Sequence, residues 1–146
     1  MLTPFLASAT HVLGVPVLPA FIGMFLLTVV LLLSVAWTGH KARRSLHLKL
    51  VVVTVASLAF TIFVAERLGR NYDLDAAGRI YPIHMFLAKT ATASYLLPVV
   101  TGIATLRNQR FRRLHGRIAL VVILLTVSAA VTGTWMILQA PPLAAQ

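Results

Sequence analysis

Long apolar runs separated by short polar connections set the pattern of this chain. They cover residues 12–37, 48–65, 82–106 and 118–138, and the first carries no charged residue at all. Each approaches the roughly 20 residues that an α-helix needs to cross a bilayer. The pattern therefore predicts an all-α membrane protein, a four-transmembrane-helix bundle forming a single transmembrane domain over residues 1–146. The second run is the shortest and is expected to recruit Lys49 and Glu66 as ends whose charged tips reach the headgroups.

Composition agrees with this reading. Of the 146 residues 59% are hydrophobic and 11% charged, and the mean hydropathy is +0.90, which belongs to integral membrane proteins and not to soluble domains. The longest polar stretch, 66–79, is too short for an extramembrane catalytic domain, so any chemistry belongs to the membrane or its rims. With no cysteine, disulfides, thiolate metal sites, iron–sulfur clusters and covalent haem attachment are excluded.

The net charge of +10 is carried beside the apolar runs. Lys41, Arg43, Arg44 and Lys49 follow the first run, and Arg107, Arg110, Arg112, Arg113 and Arg117 follow the third. The middle connection balances Arg67, Arg70 and Arg79 against Glu66, Asp73 and Asp75. Cationic connections stay inside, which predicts both termini on the outer (periplasmic or extracellular) side of a bacterial inner (cytoplasmic) membrane. Trp37 near the inner face and Tyr72, Tyr81 and Trp135 near the outer face suit interfacial belts. The basic residues adjoin lipid, so anionic headgroups or an acidic partner fit them, and nucleic acid does not. The first run lacks a preceding basic segment and is expected to remain as an uncleaved anchor.

Histidines mark the ends of these runs. Steps of four and three residues give one stripe of His84, Ala88, Ala91, Tyr95, Pro98 and Gly102, and another of His115, Ala119, Val122, Thr126, Ala129 and Gly133. Small and hydroxyl side chains at this period let membrane helices approach closely. The two helices are antiparallel, and each histidine lies about 27 Å from the glycine of its own stripe at 1.5 Å per residue. Gly133 then shares the depth of His84, and Gly102 that of His115, leaving room for a flat ring or another side chain. Ordinary small-residue packing gives the same spacing.

The second run offers His47, Val51, Thr54, Leu58 and Thr61 on one face, with His40 on that face if the helix extends so far. His47, His115 and His40 are the inner candidates for a two-ligand site, and His84 with His11 the outer ones. A haem held by two imidazoles needs arginines for its propionates, and Arg43, Arg44, Arg112 and Arg113 are available. Without haem, His47, His84 and His115 are the candidate metal ligands; loop-end histidines beside arginines also serve as plain interfacial cations. Lys89 is turned about 140° from His84 at 100° per residue, which favours an ion pair or a headgroup contact. No nucleophile–histidine–acid set, phosphate loop, paired membrane carboxylates or calcium loop appears, and no enzymatic activity is expected.

With these residues laid out, the stretch from His40 to Leu138 resembles a family of small bacterial four-helix membrane proteins of the CtaM and YozB type. The resemblance rests on the basic, histidine-bearing entry to the second run, His40 to His47, and on Ile83-His84-Met85-Phe86-Leu87-Ala88. It rests also on Arg112-Arg113-Leu114-His115-Gly116-Arg117-Ile118-Ala119, and on Val131-Thr132-Gly133. It implies an accessory or assembly factor for a haem-copper respiratory oxidase, working beside a larger membrane complex and holding haem b or copper through His47, His84 and His115. Two other roles fit the same layout: a small b-type cytochrome moving electrons across the membrane, and a structural subunit of a respiratory or photosynthetic complex.

Overall fold

The computed structural model of the chain describes residues 11–12 and 15–143. A two-residue antiparallel pair, β1 (His11–Val12) with β2 (Val15–Pro16), precedes the helices. These are α1 (Val17–His40), α2 (Arg44–Gly69), α3 (Ile80–Ser94), α4 (Leu96–Arg107) and α5 (Arg112–Gln139), with single 3₁₀ turns at Asp75–Ala77 and Gln109–Phe111. Four helical stretches, Val17–His40, Arg44–Gly69, Ile80–Arg107 and Gln109–Gln139, are long and apolar enough to cross a membrane.

Burial supports the same conclusion independently of hydropathy. The buried polar side chains are Thr28, Thr38, Thr54, Ser57 and Thr61, whereas Leu33, Val52, Phe86 and Leu138 are among the large apolar side chains left exposed. A water-soluble helix pair distributes these residues the other way round. Hydrocarbon around the helices explains the inversion, because lipid leaves apolar surface unpenalised and drives hydroxyls toward helix contacts. The chain is a multi-pass membrane protein.

The helices group into two compact units, one from Met1–Tyr72 with the segment from Pro142 onward, the other Asp73–Pro141. In the first, α1 begins at Val17, five residues later than the apolar run. Pro16 is the extended residue before it (φ −53°, ψ 140°), and a proline biases its predecessor toward extended backbone, which suits the Val15 pairing. Pro19 lies in the first turn, where a missing N–H costs nothing. Thr28 Oγ1 lies 2.8 Å from both Ser57 Oγ and Thr61 Oγ1, fastening α1 to α2 at mid-length. Toward the start of α1, Val12, Val17, Val64 and Leu68 form an apolar core against Ala20, Phe21, Phe60 and Tyr72.

The connection from α1 to α2 is only three residues. Ala42 adopts the left-handed conformation (φ 55°); its N–H donates to the Gly39 carbonyl (3.2 Å), and that of Arg43 donates to Thr38 (3.0 Å). These two bonds form a Schellman closure, in which glycine is the usual left-handed residue. Arg43 stacks its guanidinium 5.1 Å from the Trp37 ring centroid. The turn reverses the chain so tightly that the first turn of α2 lies against the last turns of α1.

In the second unit the third apolar run is broken once. Pro98 has no N–H to give the Ser94 carbonyl, and the helix divides at Tyr95, whose N–H bonds instead to Thr92 (3.3 Å); a proline inside a helix forces such a defect. The Tyr95 hydroxyl is 2.7 Å from Thr126 Oγ1, tying the break to α5. Asn108 is extended, and its side chain accepts the Arg110 N–H at 3.0 Å, ending α4 and starting the turn into α5. Gly78 (φ 64°) supplies the left-handed residue before α3.

Because Ala42 carries a Cβ in a conformation that suits glycine, Ala42→Gly is expected to stabilise the chain by about 1 kcal/mol. Reversible unfolding in mixed detergent micelles, comparing the variant with the parent chain, measures this; an unchanged or lowered midpoint contradicts it.

Candidate functional site

Three histidines are held in one recurring arrangement, each in the first turns of a helix and packed against a Thr-Gly dipeptide near the end of an antiparallel neighbour. In the first unit, His47 of α2 meets Thr38-Gly39 of α1. Its Nδ1 lies 3.1 Å from the Val35 carbonyl oxygen and 3.4 Å from Thr38 Oγ1. The ring covers Gly39 so closely that an added Cβ would stand 3.1 Å from Cε1.

The second unit repeats the arrangement twice. His84 of α3 donates from Nδ1 to the Ala129 carbonyl of α5 at 3.1 Å, with Thr132 Oγ1 3.3 Å away. A Cβ on Gly133 would fall 2.7 Å from its Cε1. His115 of α5 places Nδ1 3.2 Å from Thr101 Oγ1 of α4, over Gly102, where a Cβ would lie 3.4 Å from Cε1. All three rings are half-buried.

Along the contact of α3 and α4 with α5 the rungs succeed one another: His84 on Gly133, Tyr95 on Thr126, and Gly102 under His115. The stripes deduced by counting residues face each other, and the space left by Gly102 and Gly133 is filled by imidazole. Sequence reasoning missed Gly39, Thr38 and Thr101, and named Thr132 only as part of the Val131-Thr132-Gly133 stretch. The signal was present, since the chain contains only three Thr-Gly dipeptides, 38–39, 101–102 and 132–133, and each carries a histidine.

No family model, curated protein or solved structure matches this chain.

The other candidate residues are placed less specifically. His40 is the exposed last residue of α1. It does not extend the His47 face, because α2 begins only at Arg44, after the left-handed Ala42 has reversed the chain. The His11 side chain, and with it the expected approach to His84, lies outside the described residues. Arg43, Arg44, Arg112 and Arg113 are exposed, the first pair one turn or less before His47 and the second just before His115. Among the described residues no three of His, Asp and Glu gather where they could hold a bare metal ion.

The three glycines should tolerate alanine in a graded way. At Gly102 the added methyl meets ordinary contact distance, at Gly39 the ring must give by a few tenths of an ångström, and at Gly133 it must be displaced. Gly102→Ala is expected to be neutral or to stabilise by up to about 1 kcal/mol through helix propensity, and Gly133→Ala to dislodge His84 from its acceptors. Unfolding midpoints together with imidazole NMR shifts test the order, and equal behaviour of Gly102→Ala and Gly133→Ala contradicts it.

Proposed function

We propose that this chain is a b-type haem protein of the membrane, in which His47, His84 and His115 would hold haem. The observation that carries the proposal is the threefold recurrence of an imidazole anchored through Nδ1 to helix acceptors. Histidines that ligate metals have their second ring nitrogen fixed in this way, by a carbonyl or another acceptor that sets the ring's orientation. A histidine that served only as an interfacial cation would gain nothing from the same restraint three times over.

The donor set favours haem over a bare ion. Haem iron needs only axial ligands from the protein, since the porphyrin provides the other four, whereas a bare copper or zinc ion needs three or four converging side chains. Arg43 and Arg44 beside His47, and Arg112 and Arg113 beside His115, offer guanidinium N–H groups for propionates. Within the second unit, His84 and His115 stand at opposite ends of the helix pair, about 27 Å apart along it at 1.5 Å per residue. When bound, haem supplies one-electron transfer. Positions at both ends suit movement of electrons across a membrane better than delivery of a cofactor at one rim. The accessory role in haem-copper oxidase assembly implied by the resemblance to the CtaM and YozB type uses the same imidazoles. It requires a larger complex as partner.

In this reading the 41–49 and 107–117 connections face the cytoplasm of a bacterium, and both ends of the chain face outward.

Full-length protein purified in mild detergent is expected to show a Soret band that shifts on reduction, with iron and no copper. His47→Ala, His84→Ala and His115→Ala should each lower haem content. Copper in place of iron would transfer the argument to metal delivery, and a chain free of both, with oxidase levels unchanged on its deletion, would leave neither role standing. Orientation can be tested separately, because the sequence has no cysteine. A single cysteine at Asp75 should react with an impermeant maleimide in intact cells and one at Gln109 should not; the reverse pattern inverts the topology.

A further inference from the structure

Lys89 lies well inside the third spanning stretch, which runs for 28 residues from Ile80. At 1.5 Å per residue that stretch is about 42 Å long around a hydrocarbon layer of about 30 Å, so the Lys89 Cα stands roughly 7 Å below the headgroups of the leaflet that holds the start of α3. The side chain is exposed, and among the described residues no carboxylate pairs with it. An ammonium at that depth needs an anion. Helical side chains lean toward the helix N-terminus, so the lysine stem climbs toward Ile80 and lifts its charge to the level of the lipid phosphates. Beside it is an open cavity of about 500 Å³, lined also by Thr90, Ala93, Ser94 and Leu97. Ser94 and Leu97 continue it into a smaller hollow against Arg117, Ile118, Val121 and Val122 of α5. Thr92 gives its proton to the Ala88 carbonyl at 2.8 Å, whereas the Thr90 hydroxyl makes no hydrogen bond among the described residues.

We propose that Lys89 and Thr90 head a binding site for one anionic phospholipid. Its phosphate rests on the Lys89 ammonium, an ester carbonyl accepts the Thr90 O–H, and an acyl chain lies over Ala93, Leu97 and Val121. From the Ile80 end inward the lining runs cation, free hydroxyl, apolar floor, and a phospholipid presents phosphate, ester and hydrocarbon in the same order. Lys89 to Leu97 is eight residues, about 12 Å, close to the roughly 15 Å of one leaflet's hydrocarbon. Charge selects the headgroup: phosphatidylglycerol brings a net negative charge, whereas choline or ethanolamine places a second cation beside Lys89. A carboxylate on a neighbouring protein helix could meet the ammonium as well, but its backbone carbonyls are already bonded within that helix and leave the Thr90 proton facing apolar side chains. The site is independent of the haem reading, since it uses none of the histidines.

The test uses the full-length chain in mild detergent, offered phosphatidylglycerol and phosphatidylcholine in equal amounts, with the lipids it keeps counted by native mass spectrometry. One phosphatidylglycerol is expected to be held more tightly than any phosphatidylcholine. Lys89→Met, whose apolar side chain suits a lipid-facing position, should weaken that binding about fivefold, and Thr90→Val by a smaller factor. Lys89→Arg should retain it, and so should Lys41→Met, which removes a cation from the connection between α1 and α2. Equal retention of the two lipids by the parent chain, or undiminished phosphatidylglycerol binding by Lys89→Met, overturns the site. An equal loss in Lys41→Met and Lys89→Met also overturns it, because that marks diffuse attraction to the whole cationic chain. So does the loss of a co-purifying protein from Lys89→Met with lipid binding unchanged, which assigns Lys89 to a partner's carboxylate.

Discussion

A hydroxyl inside a membrane helix finds no water to receive its proton, and the nearest acceptor is the carbonyl one turn back on its own helix. Thr28, Ser34, Thr38, Thr54, Thr61, Thr92, Thr101, Thr105, Thr126, Thr132 and Thr134 all make that bond here. The constraint is local, yet its effect reaches between helices. Where the proton stays on that carbonyl, the oxygen faces a neighbouring helix as an acceptor; between Thr28 and Thr61, 2.8 Å apart, one of the two hydroxyls must instead turn its proton across the helix contact. Where the group facing the oxygen is imidazole, the result is an oriented ring; where it is the Tyr95 phenol, the result is a tie across the proline break.

Helix association in this chain therefore draws on polar contacts and close approach. Many side chains that a soluble protein would bury are turned outward; the first unit buries Thr28, Thr38, Thr54, Ser57 and Thr61 beside an apolar cluster of Val17, Val64 and Leu68, and the second buries Ala91, Val122 and Met136. Interhelical hydrogen bonds of this kind contribute only about 0.6 kcal/mol each on average in membranes. Several along each helix pair, rather than any one, must set the register that brings each histidine level with its glycine.

Much of this was legible in the sequence, because bilayer thickness imposes a length and helical periodicity imposes a face. The four apolar runs correspond to the four spanning helices, and residue counting alone placed Gly133 level with His84 and Gly102 level with His115. Less legible was whatever depended on backbone exceptions. The left-handed Ala42, which separates His40 from the His47 face, is an alanine where a reader expects glycine. Starting α1 at Val17 required weighing Pro16 against an apolar run that continues before it. The contact of Thr38, Thr101 and Thr132 with the histidines was not legible, since a membrane threonine reads as a small packing residue until its proton is followed. The roles given to the arginines and to copper or haem depend on groups that no pattern of residues reveals.

The interruption at Tyr95 gives the second unit a joint. His84 is carried by α3 and Gly102 by α4, so the two ring contacts with α5 stand on opposite sides of the missing Pro98 hydrogen bond, while Tyr95 holds the joint itself to Thr126. A small change of angle there would shift one end of the pair while the other kept its seat. A continuous helix would transmit any strain at His84 rigidly along its length to the glycine beneath His115. The proline loosens the coupling between the two ends, so that either imidazole contact can adjust while the other keeps its register.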